Sequence, residues 1–367
     1  MKKLVGDPLI SSDVATDYWH QLDDGRIQCD LCPRYCKLHT GQRGACFVRA
    51  EKDGEIILTS YGRSTGFCID PVEKKPLSHF LPGSSVLSFG TAGCNLACKY
   101  CQNWDTTKSR EMDVMAAHAS PDALVAEAIK QGCSSIAYTY NDPIIFLEYA
   151  LDVAEVARQK NIKSVAVTAG YICEKPREKF FQAMDAVNID LKAFHDEFYR
   201  KICGAALEPV LDTLRYVYHE TDVWLEVTTL LIPGENDSDR EIERLSQWLV
   251  ENLGPEVPLH FSAFHPDWKM RTTPKTPSST VQRARQIAMK AGLHYVYTGN
   301  IYDPFGGSTY CPACQHCVIE RDCYSLGAWS LTEQGACSQC GAAIAGVFDS
   351  GPGNWGSRRQ PILIQSE

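Results

Sequence analysis

The chain has 367 residues, 44% of them hydrophobic, enough for one barrel-sized domain with smaller modules attached. No apolar run approaches the roughly 18 residues of a membrane span, and the N-terminal MKKLVGDPLISSD has two lysines but no uninterrupted apolar core, so neither a membrane segment nor an export signal is expected and the chain is assigned to the cytoplasm. A formal net charge of −9 without any basic stripe argues against nucleic acid as a partner.

Residues 1–84 are rich in Cys, Gly and turn formers and read as a Cys-rich N-terminal module. Its centre is Cys29-x2-Cys32-x3-Cys36-x9-Cys46. Four thiols this close, without an export signal, point to metal ligation rather than disulfides. Spacing alone leaves zinc and a second iron-sulfur cluster equally open, since both accept four thiolates.

From residue 85 to 300 short β-rich runs alternate with amphipathic helical stretches, the pattern of a parallel sheet built from β/α units. The expected strands are SVLSFGTA, SSIAYTY, SVAVTAG, AVNIDLKA, VWLEVTTLLIP, PLHFSAF and HYVYTG. Between them, Ser120-Pro121-Asp122 reads as the N-cap and first turn of a helix carrying Leu124, Val125, Ala128 and Ile129, closed by Gly132. Ser238 and Glu241 form an expected capping box ahead of Ile242, Leu245 and Leu249, and a further helix runs from about Ser279 to Gly292. The fold class is therefore α/β, and six or seven such units suit a partial (β/α)6 TIM-like barrel, although the pattern also allows a doubly wound sheet.

At the end of the first of these strands, GTAGCNLACKYCQNW packs Cys94, Cys98 and Cys101 into one loop. A [4Fe-4S] cubane takes four ligands, so a compact set of three leaves one iron open for a non-protein ligand. A structural zinc site usually supplies four protein ligands, which makes a zinc knuckle the weaker reading of the triplet. Residues 301–367 form the last expected module. Here Cys311-x2-Cys314 and Cys337-x2-Cys340 have zinc-ribbon spacing, with structural zinc favoured over an auxiliary iron-sulfur cluster and with Cys317 and Cys323 as extra thiols. Cys68, Cys133, Cys173 and Cys203 stand outside all these groups and read as small buried hydrophobes.

The C-x3-C-x2-C triplet with Tyr100 before its last cysteine resembles the signature of the radical S-adenosylmethionine (SAM) superfamily. The phrases CDLCPRYC, GACFVR, IDPVEKKPLSHFLPGS, AYTYNDP, VNIDLKAF, LLIPGEND, FHPDWKM and YVYTGN, followed by CPAC and CSQCG, extend the resemblance over nearly the whole chain. Together they look like the AmmeMemoRadiSam radical enzymes, relatives of the enzymes that activate glycyl radical proteins. The resemblance implies Cys94, Cys98 and Cys101 as cluster ligands and Tyr100 against the adenine. Asn141 and Asp142 fall where relatives hold the methionine amino group, and Asn-Asp-Pro is also a common turn and N-cap. Asp190 and Lys192 match an Asp-Leu-Lys motif around the cofactor, with a mutual salt pair as the plainer reading. Thr168 remains from an Asp-Thr-Asn-Gly motif in which Val167 and Ala169 now replace the two polar residues. His265 corresponds to a histidine near the adenosine, although a lone histidine is as often a satisfied loop residue.

The resemblance further implies reductive cleavage of SAM, a low-potential donor such as flavodoxin or ferredoxin, and a link to Memo-like and AMMECR-like proteins. The substrate that loses hydrogen stays open. Two other readings are weighed: an activating enzyme that installs a glycyl radical on a partner protein, and a non-catalytic metal-stapled scaffold.

Overall fold

The computed structural model describes residues 13–110, 115 and 117–364; the stretch read above for an export signal lies almost wholly outside them. Short apolar runs without alternation can be satisfied only when both faces are covered. That is how they are used here. The central sheet contains Phe67–Pro71 (β1), Ser85–Phe89 (β2), Ser135–Tyr138 (β3), Lys163–Thr168 (β4), Ala186–Asp190 (β5), Trp224–Leu231 (β6), Leu259–Ala263 (β7), Val296–Gly299 (β8) and Gln360–Ile362 (β9). β1, β2 and β3 are buried along their whole length.

The nine strands pair in the order β8-β7-β6-β5-β4-β3-β2-β1-β9. Strands β2 to β8 are all parallel and lie in chain order. β1 runs antiparallel to β2, and β9 runs antiparallel to β1. Parallel neighbours need a crossover, and six helices supply it. They are Pro121–Lys130 (α1), Leu147–Gln159 (α2), Glu174–Gln182 (α3), Glu208–Glu220 (α4), Asp239–Leu253 (α5) and Ser278–Lys290 (α6). All seven strands expected from the sequence are present, as a mixed sheet with two antiparallel additions.

Helix starts follow the local chemistry. Ser120 Oγ accepts the Ala123 N–H at 3.2 Å, and Ser238 Oγ accepts the Glu241 N–H at 3.3 Å. The second half of the capping box goes elsewhere: the Glu241 carboxylate takes the Phe194 N–H and lies 3.0 Å from His195 Nδ1. Leu124, Val125 and Ala128 of α1 join one core with Ile242, Leu245 and Leu249 of α5. Ile129, expected on the same face as Leu124, is 48% exposed because it falls beyond the edge of the apolar stripe.

The three stretches expected as modules share this sheet, since β1 comes from before residue 85 and β9 from after residue 300. The N-terminal part forms two small antiparallel sheets, one of Trp19–Gln21, Ile27–Cys29 and Lys37–Leu38, the other of Val14–Ala15, Glu55–Leu58 and Arg49–Lys52. Arg49 fastens it to the main body. Its guanidinium is buried, 2.5 Å from Glu148 on α2 and 3.1 Å from the Ile145 carbonyl. The C-terminal part builds a three-stranded sheet, Thr309–Tyr310, Cys317–Asp322 and Ser325–Trp329. Its core residues Val318, Ile319, Leu331 and Ile344 pack on Tyr295 and Tyr297 at β8.

Candidate functional site

The carboxyl ends of β2 to β8 open onto one cavity of about 1010 Å³, the position where parallel α/β sheets hold their ligands. Cys94, Cys98 and Cys101 all line it. Their loop is fixed by close backbone contacts that the sequence only hints at through its glycines. A Cβ on Gly90 would fall 2.2 Å from the Thr139 carbonyl oxygen. Gly93, at φ +83, sits so tightly against the Cys46 carbonyl that no side chain fits.

Side chains tie the same loop from three directions. Asn141 accepts the Thr91 N–H at 3.2 Å and donates to Thr91 Oγ1 and the Gly93 carbonyl, each at 3.0 Å. Arg34, from the N-terminal cysteine block, donates to the Asn95 carbonyl and, at 2.8 Å, to the Gly204 carbonyl. The Ala97 and Lys99 N–H groups donate to the carbonyls of Cys203 and Ile202. The Leu96 N–H reaches Cys94 Sγ at 3.4 Å, and Cys101 Sγ lies 3.1 Å from Thr107 Oγ1.

Burial makes these thiols reluctant to ionise. Cys94 is pushed up to about 12 by burial and by nearby Asp142. Cys98 is raised well above its ordinary value by the Cys203 thiol beside it and by burial. Thiolates here need a cation to compensate them. Three thiols on one clamped loop facing a large cavity fit a cluster with one open iron.

The remaining expected residues divide. Tyr100, Asn141, Asp142, Thr168, Asp190 and Lys192 line the cavity with the triplet. Asp142 caps the turn Pro143–Phe146 through the Ile144 N–H at 3.1 Å and also accepts Thr168 Oγ1–H at 2.9 Å and the Ala169 N–H at 3.1 Å. Burial raises its pKa even so. Asp190 and Lys192 form the mutual pair at 2.9 Å while both face the cavity. Burial opposes the Lys192 charge, but Asp190 together with the nearby Cys98 and Cys203 outweighs it and holds that pKa well above the ordinary lysine value. The Tyr100 ring packs on Phe198 with its hydroxyl 3.8 Å from Cys203 Sγ.

His265 is exposed and lies outside the cavity lining, because it follows β7 rather than belonging to it. His260 lines the cavity instead, with Nε2 2.6 Å from Glu226 on β6. Its signal was the strand period, which puts His260 and Ser262 on one face of PLHFSAF. Cys203, read as a small hydrophobe, is buried but stands against the ligand loop. Nothing local in the sequence marked it.

Residues 89–245, from the end of β2 to α5, match the Radical SAM superfamily. An uncharacterized protein of Methanocaldococcus jannaschii is 38% identical over 328 residues, covering 89% of this chain and 97% of that one. The chain belongs to the radical SAM superfamily. The pyruvate formate-lyase 1-activating enzyme of Escherichia coli is 22% identical over 196 residues, covering 50% of this chain and 75% of that enzyme. Among solved structures, a radical SAM methyltransferase from Sphaerobacter thermophilus covers 79% of this chain and 77% of its own, at 14% identity and a TM-score of 0.48. Radical SAM membership makes the chain an enzyme, and the reading as a non-catalytic scaffold falls. No helix among the described residues is long and apolar enough to cross a membrane.

Two further cysteine groups stand outside the cavity triplet. In the C-terminal module Cys311, Cys314, Cys337 and Cys340 bring their sulfurs within 4.8 Å of one another. Cys311 and Cys340 are 3.6 Å apart and Cys314 and Cys337 are 3.8 Å apart, where tetrahedral ligation at a Zn–S length near 2.3 Å requires about 3.8 Å. The two knuckles repeat one geometry. Gln315 and Gly341, each following a second cysteine, are left-handed and donate to the carbonyls of Cys311 and Cys337 at 2.9 and 2.8 Å.

The N-terminal block differs. Cys36 and Cys46 flank Gly44, with Cys29 and Cys32 buried nearby, but among the described residues these four do not share the mutual 4.8 Å approach of the C-terminal tetrad.

Proposed function

We propose that the chain is a radical SAM enzyme of the AmmeMemoRadiSam type that abstracts hydrogen from a substrate bound in the strand-end cavity, working in a partial barrel with a Cys-rich module on one side and a zinc-ribbon-like module on the other. The observation that carries the reading is the convergence of Cys94, Cys98 and Cys101 with Thr168, Asp190 and Lys192 on one cavity. A [4Fe-4S] cluster bound there with SAM supplies reductive cleavage of the sulfonium C–S bond to a 5'-deoxyadenosyl radical, chemistry that belongs to the cofactor.

The protein's part is to hold and to orient. Cys94, Cys98 and Cys101 hold the cluster, and Asn141 and Arg34 keep their loop from moving. Lys192 offers an ammonium group to the methionine carboxylate, while Asp190 accepts hydrogen bonds from the amino group or ribose hydroxyls. Charged groups at a cavity wall are stabilised by such polar ligands. Thr228 Oγ1, buried and without a hydrogen-bond partner on the cavity face of β6, is a further acceptor for them. Tyr100 closes the apolar side and keeps water from the cluster loop. His265 takes no part in this reading.

The C-terminal tetrad holds zinc as a structural ion, in keeping with its sulfur spacing. The wider N-terminal block suits a second iron-sulfur cluster, because each thiolate of a cubane binds a different iron and the sulfurs lie farther apart than around one ion. The reductant is a flavodoxin or ferredoxin that docks close to the triplet, and Memo-like and AMMECR-like proteins belong to the same pathway. The enzyme works in the cytoplasm.

The test is anaerobic reconstitution followed by assay of iron, sulfide, zinc and 5'-deoxyadenosine, with dithionite and SAM, for the wild type and Cys98→Ala. Deoxyadenosine from the wild type alone supports the reading; equal yields from both proteins would sink it. About eight irons with one zinc support the second cluster, and about four irons remove it. Likeness to the pyruvate formate-lyase activating enzyme keeps one competing reading, installation of a glycyl radical on a partner protein. A glycyl doublet in electron paramagnetic resonance after mixing with such a partner would select it.

A further inference from the structure

The cavity is charged opposite to the chain. Against an overall −9, seven Lys and Arg side chains line it beside three carboxylates. Asp190 and Lys192 neutralise each other on the side of the cluster loop. The excess lies on another wall.

That wall is built behind by Asp70 of β1, which is fully buried and lies 2.8 Å from Lys74 Nζ and 2.7 Å from Lys75 Nζ. One carboxylate thus serves two ammonium groups, and both lysines line the cavity. The Tyr140 hydroxyl donates to the same carboxylate at 2.9 Å, and its ring lies 4.9 Å from Lys75 Nζ. Arg359, just before β9, reaches Cys68 and the field of Asp70. From the C-terminal module comes Arg321, its side chain 2% exposed; Nη1 donates to Thr309 Oγ1 at 2.8 Å and Nη2 to the Ser78 carbonyl at 2.6 Å, while Nε alone has no hydrogen-bond partner and lies 3.8 Å from Glu73.

Four cations on this wall face two carboxylates, and burial raises the Glu73 pKa toward the neutral form. Burial also draws Lys75 down to about 8 against the pull of Asp70, the mark of an under-compensated ammonium. Of the four, Lys75 and Arg321 are buried, and buried charge without full compensation is costly, a cost that an incoming anion relieves. Tyr140 is left-handed at φ 68 with its carbonyl held by Asn103 Nδ2 at 2.8 Å. Such backbone strain at a bulky residue persists where surroundings enforce it and concentrates at ligand sites.

We propose that Lys74, Lys75, Arg321 and Arg359 form a subsite for the phosphoryl or carboxylate group of a small anionic substrate. The inference rests on the proposed radical reading only in naming this ligand as the substrate. The cavity matches the upper end of small-molecule sites, about 300–1,000 Å³, so it has room beside SAM. The C-terminal module thereby gains a purpose beyond its metal, since it carries Arg321 to the wall.

The test uses anaerobically reconstituted holoenzyme with SAM present, titrated by calorimetry with inorganic pyrophosphate and, separately, with malonate. We expect saturable binding of at least one of them, weakened at least fivefold in Lys74→Gln and in Arg359→Gln and unchanged in Lys130→Gln on the outer side of α1. Preference for pyrophosphate assigns a phosphoryl group, and preference for malonate a carboxylate. No saturable binding, or a smaller loss in both variants, overturns the proposal. Lys74 is partly exposed and Arg359 exposed, and zinc content with melting temperature checks that the variants fold. Deoxyadenosine is assayed in the same wild-type preparation. Its absence beside intact anion binding sinks the radical reading alone; its presence without anion binding sinks the subsite alone.

Discussion

The two outer cysteine blocks have the same number of grouped thiols and opposite geometries. At the C-terminal end four sulfurs close on one point, carried by two knuckles of identical turn geometry. At the N-terminal end the four thiols do not share that mutual approach, and the segment is held by side chains that reach into the main body: Arg49 to Glu148, and Arg34 to the carbonyls of Asn95 and Gly204. One block is stapled from within. The other is stapled from outside, and one of its attachments, Arg34 to Asn95, runs to the very loop that carries Cys94, Cys98 and Cys101.

The comparison can be broken at several points. The largest effect is expected from Cys337→Ser, which should release the bound metal and unfold the C-terminal module, removing a contribution of order 10 kcal/mol. Zinc content and the melting transition report it, whereas Cys36→Ser should leave zinc unchanged. Next comes Arg49→Leu, which strands Glu148 in a part-buried site and should cost about 3–5 kcal/mol in urea unfolding. If that variant lost less than 1 kcal/mol, the external staple would not be what holds the N-terminal part.

A pH dependence of similar size is expected from His79, whose ring lies 2.5 Å from the Ala345 carbonyl and 2.5 Å from the Tyr297 hydroxyl. Burial lowers its pKa from 6.5 to about 4, with Glu226 opposing and Arg321 and His260 adding to the fall. The unfolded chain therefore takes up the proton first as the pH drops. Stability present above pH 6.5 should drain away between 6.5 and 4 by up to about 3 kcal/mol, and His79→Gln should flatten that slope. The smallest effect is expected from Arg34→Ala: about 2 kcal/mol for its charged hydrogen bonds, read together with a faster loss of iron from the reconstituted protein. Iron retention equal to wild type would separate the N-terminal block from the cluster loop.

What the sequence made legible was local. Strand runs, the Ser120 and Ser238 caps and the cysteine spacings all depend on residues within a few positions of one another. Long-range meetings left no such trace. Cys203 lies about 100 positions from Cys98 and reads as any buried thiol until the turn at Tyr199–Cys203 pairs with the ligand loop. Glu226 appears as one acid inside an apolar run. In the fold it accepts the N–H groups of Ser78 and His79 and lies within hydrogen-bond distance of His260. His265 follows β7 and is exposed, outside the cavity lining, a placement that its neighbours in sequence did not reveal. The antiparallel strands β1 and β9 escaped notice because each is short and contains a proline.

The pairing of β9 with β1 also bears on how the molecule assembles. Neighbouring parallel strands are joined through a single helix, but Gln360 meets Ile69 across about 290 residues of chain. Closing a loop some eight times longer costs about 2 kcal/mol more in chain entropy, and contacts of such separation form late. Arg359 stands at the foot of that strand. The segment that brings it to the cavity is therefore expected to dock after the rest of the sheet has zipped and to open before it, leaving the basic wall as the kinetic doorway of the site.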